Sequence, residues 1–228
     1  VHAGAISASL TGKSWQYGWT SLKASLLRSN RTVWKAGMFG KHAYQELVSS
    51  IRRVGYSFGM DWDAPGDHTV IMRHDIDFST DYARVIAEIE SEMDMLSTYF
   101  FMLSANSYSL PSRHNADNVR AVRDAGHRVS LHYDPTVYDD PVAGFRAERK
   151  MFEDLFEVEI DIVSVHRPGD FLNDNNRDPD GCAHPYQDRY FNDMKYLSDS
   201  GGRFVTPLVE EFLAGAGGAP LQLLTHPV

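Results

Sequence analysis

Two aspartates stand two residues apart in the segment Arg73-His74-Asp75-Ile76-Asp77. If a β-strand runs through this segment, both carboxylates point to one face of the sheet. Burying two like charges side by side is costly unless a cation or a proton lies between them, so one metal ligand and one general base are a natural division of labour. An aspartate-rich turn at the surface would explain the same residues.

Histidines follow two apolar segments further along the chain. His132 ends the run Arg128–Leu131, and His166 ends the run Ile160–Val165. Imidazole nitrogens and carboxylate oxygens are the usual ligands of catalytic zinc, so His132 is the best candidate for a nitrogen ligand and His166 is a second candidate. The planar guanidinium group of Arg167 could orient a carboxylate by a bidentate contact. Strand-end histidines with structural hydrogen bonds, or a surface Arg-Pro turn, are the alternatives.

Two more titratable residues lie in the last thirty or so positions. His226 comes shortly after the apolar run Leu221–Leu224, and Asp199 follows Tyr196-Leu197-Ser198. A carboxylate that holds an imidazole keeps it protonated near neutral pH, so this pair would supply a general acid. A surface turn is an equally simple explanation for Asp199.

The elements that must position these residues alternate between strand and helix, which is typical of parallel sheets and barrels. Five predicted strands end in histidine or aspartate at their carboxyl ends, the edge at which the loops of a parallel barrel converge. The predicted strands are the one led by Val70–Met72, then Thr98–Leu103, Arg128–Leu131, Ile160–Val165, Tyr196–Ser198 and Leu221–Leu224. The predicted helices begin at Lys41, at Ser79 or Thr80, at Asn115 and at Pro207, run through Phe145–Phe156 and Tyr186–Met194, and in two cases stop at Gly55 and Gly126.

The composition predicts one catalytic domain, covering residues 41–228, in a chain of 228 residues that is 43% apolar. Residues 1–40 lack clear periodicity and form an N-terminal extension, either packed on the domain or loosely ordered. The net charge of −9 and the scattered basic residues disfavour nucleic acid as a partner. The longest apolar run, Tyr99–Leu103, is too short for a membrane span.

A single cysteine, Cys182, excludes an internal disulfide and favours a cytoplasmic location. The chain begins with Val1 rather than methionine, which leaves open that a signal peptide has been removed. There is no G-x-S-x-G segment, no Walker A motif and no G-x-G-x-x-G segment, which disfavours serine hydrolases, P-loop enzymes and dinucleotide binders.

Taken in order, these motifs resemble the polysaccharide deacetylases, also called the NodB homology or carbohydrate esterase family 4 group. The resemblance is closer to a divergent branch that opens with Arg-His-Asp-x-Asp and occurs in surface-polysaccharide and O-antigen biosynthesis. It spans roughly residues 41–227. The matching segments are 73–77, Ser97-Thr98-Tyr99-Phe100-Phe101, Gly126-His127 to Asp134, Ser164-Val165-His166-Arg167-Pro168, Tyr196 to Ser200, and Leu221 to Pro227.

The resemblance implies a distorted (β/α)7 TIM-like barrel and a role for each matching residue. Asp75 matches the general base, and Asp77 and His132 match metal ligands. The remaining matches are Arg167 to the arginine that orients the base, Asp199 to the aspartate that tunes the acid, and His226 to the general acid.

The sequence departs from the better-known members at the second ligand histidine, where Thr136 stands. A catalytic zinc site has about three protein ligands, so another residue must complete the set. His166 is our choice, with Asp134 and Asp75 as alternatives. Arg167-Pro168-Gly169 fits the family's Arg-x-Pro motif in two registers, one of which puts His166 in the arginine's place.

The expected activity is removal of an N-acetyl or similar acyl group from an amino sugar of a polysaccharide or its precursor. Zinc is the expected metal, and cobalt, nickel and iron fit the same ligand types. A related hydrolase of C–N bonds, such as a deformylase or a cyclic amidase, is one alternative. A metal-free carbohydrate-binding homologue is the other, and Thr136 is the feature that supports it.

Overall fold

A computed structural model describes residues 40–167, 169–172, 178–200 and 206–227 of the chain. The predicted N-terminal extension therefore lies outside the described residues, except for Gly40. The strands are β1 Ser57–Gly59, β2 Thr69–Ile76, β3 Thr98–Phe101, β4 Arg128–Tyr133, β5 Ser164–Val165, β6 Lys195–Ser198 and β7 Leu221–Thr225. The helices are α1 Lys41–Arg53, α2 Thr80–Glu92, α3 Arg113–Asp124, α4 Pro141–Phe156, α5 Asp188–Phe191 and α6 Thr206–Gly215.

The strands form one parallel sheet in the order β5-β4-β3-β2-β7-β6, and β1 pairs with the first residues of β2. Every strand pair is parallel, as expected when helices connect successive strands. Within the described residues the end strands β5 and β6 do not pair with each other, so the sheet is a half-barrel. The α/β fold predicted from the alternation of strands and helices is confirmed, and the sheet has the seven strands that the family resemblance implies.

The alternation of side chains along β2 separates the two faces of the sheet. Val70 and Met72 pack in the layer that includes Leu47, Val48 and Ile51 of α1. Ile71 belongs to a different cluster, on the barrel side, together with Phe100 and Trp62. Because side chains alternate along a strand, the odd-numbered residues that follow, Arg73 and Asp75, also face the barrel side, whereas His74 faces the helices.

Several predicted boundaries are confirmed at the level of single residues. Ser79 is the N-cap of α2, and its side chain accepts a hydrogen bond from the Asp81 N–H at 3.2 Å. Gly55 and Gly126 follow α1 and α3 with φ of +87° and +96°, the left-handed conformation that glycine adopts most easily.

Other predicted boundaries differ from the structure. Helix α3 begins at Arg113 rather than at Asn115, because the Asn115 side chain instead joins the turn before the helix by donating to the Ser109 carbonyl. Strand β5 is shorter than the predicted run, since Ile162 makes only an isolated bridge to Ala183. The predicted helix Tyr186–Met194 is reduced to the single turn of α5. Among the described helices, none combines the length and the apolar character required to cross a membrane.

Candidate metal centre and active site

Three side chains meet at the carboxyl edge of the sheet, from three different strand ends. Asp77 directly follows β2, His132 lies near the end of β4, and His166 directly follows β5. The His132 Nε2 atom lies 3.1 Å from His166 Nδ1 and 3.3 Å from Asp77 Oδ1. The third side of this triangle, from His166 Nδ1 to Asp77 Oδ1, measures 3.5 Å.

This triangle has the dimensions of a tetrahedral metal site. Nitrogen and oxygen ligands lie about 2.1 Å from zinc, which places neighbouring ligand atoms roughly 3.4 Å apart in a tetrahedron. Asp77 Oδ1 is buried and has no hydrogen-bond partner among the described residues, which is unfavourable for a carboxylate unless a cation is present. The three residues therefore fit a divalent cation, and three protein ligands leave a position for a reactant.

The protonation states of the ligand residues agree with metal binding. Burial lowers the pKa of His166, and the neighbouring His132 lowers it further, which favours the neutral imidazole that a metal requires. Burial raises the pKa of Asp77, but His132, His166 and His226 outweigh it, so the net shift is downward and the carboxylate is ionised.

Thr136 lies outside this cluster, on an exposed turn from Pro135 to Val137. Its backbone N–H and its hydroxyl both donate to Asp134 Oδ1, at 2.9 and 2.6 Å. The Asp134 carboxylate is thus engaged as the cap of the turn. Of the alternatives considered for the third ligand, His166 is the residue that the structure brings to Asp77 and His132.

Asp75 lies beside the cluster, on the barrel face of β2, and is 2% exposed. Its Oδ2 atom accepts a hydrogen bond from Ser164 Oγ at 2.9 Å and lies 3.5 Å from Arg73 Nη2. Its Oδ1 atom is buried with no partner among the described residues. Burial raises the pKa of Asp75, but Arg73, His132, His226 and the Ser164 hydroxyl outweigh it, so the net shift is downward. The result is an ionised carboxylate with one free oxygen, as a general base requires.

The arginine beside this carboxylate is Arg73, not Arg167. Arg73 is fully buried, and its Nη2 also donates to the Tyr186 hydroxyl at 3.2 Å. Arg167, which the family resemblance assigned to Asp75, is exposed at the surface with φ of +50°. The spacing contained the missed signal, because Arg73 precedes Asp75 by two residues and so shares its face of the strand.

His226 and Asp199 form a pair at the ends of β7 and β6. Asp199 Oδ1 lies 2.6 Å from His226 Nδ1, and Asp199 Oδ2 accepts the backbone N–H of His226 at 2.8 Å. Burial lowers the pKa of His226, but the hydrogen bond to Asp199 and the charges of Asp75, Asp199 and Asp77 outweigh it, so the net shift is upward. This histidine is thus poised to donate a proton.

Solved structures similar to this chain include a pseudoenzyme, a deacetylase and an esterase. A CE4 family pseudoenzyme from Bacillus anthracis has a TM-score of 0.44 and 16% sequence identity, over 72% of this chain and 57% of that one. The chitin deacetylase of the fungal pathogen Colletotrichum lindemuthianum has a TM-score of 0.34 and 14% identity, over 69% of this chain and 57% of that one. A family 4 carbohydrate esterase from Bacillus anthracis has a TM-score of 0.35 and 16% identity, over 84% and 80% of the two chains.

This chain thus spans a little over half the length of the pseudoenzyme and the chitin deacetylase. No protein-family model matches the sequence, and no curated protein matches it.

His74, the second residue of the segment 73–77, does not face the metal cluster. Its ring lies on the helix side of the sheet, where Nε2 is 2.9 Å from Glu90 Oε1 and Nδ1 is 2.6 Å from Thr225 Oγ1. Glu90 is fully buried in α2, and no sequence pattern marks it as part of this assembly, since it stands among the acidic residues of an ordinary amphipathic helix. Segment 73–77 therefore contributes polar side chains to both faces of the sheet.

Proposed function

We propose that the chain is a metal-dependent hydrolase that removes an N-acetyl or similar acyl group from an amino sugar of a polysaccharide or its precursor. The observation that carries the proposal is the triangle of Asp77, His132 and His166, with edges of 3.1 to 3.5 Å, beside Asp75 and its free oxygen. The pair of Asp199 and His226 supplies the acid that such a reaction needs.

The division of labour follows from these positions. A divalent cation bound by Asp77, His132 and His166 supplies Lewis acidity toward the acyl carbonyl and the attacking water. Asp75 accepts a proton from that water through Oδ1 as the new C–O bond forms. The C–N bond then breaks, and His226 gives its proton to the departing amine. One water is consumed, and a carboxylic acid and a free amine are released.

Zinc is the metal that we propose, because one carboxylate and two imidazoles at tetrahedral spacing suit it. Cobalt, nickel and iron accept the same ligands. The amino-sugar substrate, and a role in surface-polysaccharide or O-antigen biosynthesis, rest on the order of the sequence motifs from residue 73 to residue 227.

The decisive experiment combines elemental analysis with acetate release. The purified protein is stripped with a chelator, reloaded with zinc, cobalt, nickel or iron, and assayed on N-acetylglucosamine oligomers. We expect about one metal per chain, loss of acetate release on stripping, and recovery on reloading, since the reaction depends on the bound cation.

A panel of substrates separates the proposal from its competitors. N-formyl compounds and cyclic amides report on the related hydrolases, and acetate release should exceed turnover of both. Binding of sugar oligomers without metal uptake or acetate release would point to a non-catalytic binding protein. Acetate release that survives complete stripping would contradict the proposal.

The pH dependence should reveal the role of Asp199. The raised pKa of His226 keeps it protonated, and able to act as an acid, to a higher pH than an ordinary histidine. Replacing Asp199 by asparagine removes a negative charge at 2.6 Å, so the pKa of His226 falls and the acid is lost at lower pH. The alkaline limb of the profile of kcat/KM against pH should therefore move to lower pH.

The matched control is Glu92→Gln, which removes the same charge from an exposed ion pair with Lys41. Its alkaline limb should coincide with that of the unaltered protein, because an exposed pair is screened by solvent. An unshifted limb in Asp199→Asn would exclude His226 as the acid that titrates there.

A further inference from the structure

A buried polar network lies behind the site, on the helix side of the sheet, and is centred on Glu90 of α2. The carboxylate is fully buried and would be costly without partners. It accepts hydrogen bonds from Tyr44 and Tyr99 hydroxyls at 2.5 Å, from the Ser97 hydroxyl at 2.8 Å and from His74 Nε2 at 2.9 Å. Four donors on one carboxylate hold the His74 ring in a fixed orientation.

The other nitrogen of the His74 ring reaches across to β7. Nδ1 lies 2.6 Å from Thr225 Oγ1, and the two residues are also the last register pair between β2 and β7. The next residue on each strand belongs to the proposed chemistry: Asp75 follows His74, and His226 follows Thr225. The network thus joins the two strands one residue before the base and the acid.

The strands are not paired with each other beyond this point. Asp75 and Ile76 remain paired only on the other side of β2, with Phe100 and Phe101 of β3. On its other side, His226 is held by two hydrogen bonds to Asp199, the residue that follows β6. The distance between base and acid is therefore set by the ties on either side of His226, which on the β2 side are the backbone pairing of His74 with Thr225 and the side-chain contact between them.

We propose that His74, held by Glu90, is a positioning residue that fixes the end of β7, and with it His226, relative to Asp75. This rests on the proposed function for the roles of Asp75 and His226. His74 touches neither the metal cluster nor the reacting atoms; it acts through Thr225. Burial of a carboxylate is costly, and here the buried Glu90 carboxylate orients the His74 ring, which reaches from β2 to Thr225 of β7.

The test is a comparison of Thr225→Val with Thr225→Ser in the full chain. Valine keeps the shape of threonine but leaves Nδ1 of His74 without a partner, and serine restores the hydroxyl. We expect kcat for acetate release to fall roughly 10- to 100-fold in Thr225→Val, as for small misplacements of reacting groups, with KM and metal content unchanged. Thr225→Ser should recover most of the loss.

The matched control is Tyr56→Phe, at a buried tyrosine outside the Glu90 network whose hydroxyl donates to the Ala219 carbonyl at 3.1 Å. It should lower the urea midpoint of unfolding to an extent similar to Thr225→Val while kcat stays close to that of the unaltered protein. A comparable fall of kcat in Tyr56→Phe would show that lost stability alone is responsible, and would overturn the proposal.

A second readout separates this proposal from the proposed function. The nitrogen chemical shifts of the His226 ring report its contact with Asp199 whether or not acetate is released. These shifts should change in Thr225→Val and return in Thr225→Ser. If the unaltered protein hydrolyses none of the substrates, the proposed function fails and these shifts still decide the positioning role. Unchanged shifts, or unchanged kcat, in Thr225→Val would overturn it.

Discussion

Replacing His166 by alanine is expected to release the metal and to lower acetate release by at least roughly 100-fold, because loss of mere supporting contacts around a metal already costs 10- to 100-fold. The triangle of ligand atoms loses the corner that lies 3.1 Å from His132 Nε2 and 3.5 Å from Asp77 Oδ1. Two remaining ligands are fewer than a catalytic zinc site needs. Elemental analysis after dialysis and the acetate assay measure the two effects.

The control for this substitution is His114→Ala. His114 is an exposed histidine that pairs with Asp81 on the surface, with 68% of its side chain accessible. Its removal should leave metal content and acetate release unchanged. Full metal content and activity in His166→Ala would show that another residue completes the ligand set, and Asp134 would then be the first to test.

The metal cluster could be predicted from sequence because its determinants are local. Asp77, His132 and His166 each stand at the carboxyl end of an apolar run, and parallel strands bring such ends to one edge. The spacing of two between Asp75 and Asp77 places both on one face of β2. For these residues, the alternation of side chains along a strand and the parallel direction of the strands are nearly sufficient to predict which side chains lie together.

The contacts of Asp75, the proposed general base, could not be predicted in the same way. Arg167 stands next to His166 in the chain, but its own backbone φ is +50° and its side chain is exposed at the surface. Arg73 reaches Asp75 because it stays inside a strand that is buried from Val70 to Ile76. Ser164 reaches the same carboxylate from β5, a contact between residues 89 positions apart that no local pattern encodes.

The hydrogen-bond network of Glu90, on the opposite face of the sheet, could not be predicted from local sequence either. Its partners come from one helix and two strands, and each looks ordinary in sequence: a tyrosine in α1, a serine and a tyrosine near β3, a histidine in β2. Likewise, β5 is shorter than its apolar pattern predicts, since pairing with β4, rather than residue type, sets where it ends.

Replacing Asp75 by asparagine should lower kcat/KM for acetate release by roughly 100- to 10,000-fold, the usual contribution of a positioned general base. Asparagine has the shape of aspartate, and its amide oxygen can still accept the Ser164 hydroxyl, but it cannot take a proton from water. Because Asp75 is not a corner of the ligand triangle, the metal content should stay the same. Loss of activity with full metal content is the expected signature.

The matched control is Asp134→Asn, at a second buried carboxylate near the carboxyl edge. Asp134 Oδ1 accepts hydrogen bonds from the backbone and hydroxyl of Thr136, and an asparagine oxygen can accept both, so metal content and kcat/KM should stay within a few-fold of the unaltered protein. Loss of metal in Asp75→Asn would make Asp75 a ligand rather than the base. Loss of metal in Asp134→Asn, with metal retained in His166→Ala, would show that the third ligand is Asp134, after β4, rather than His166, after β5.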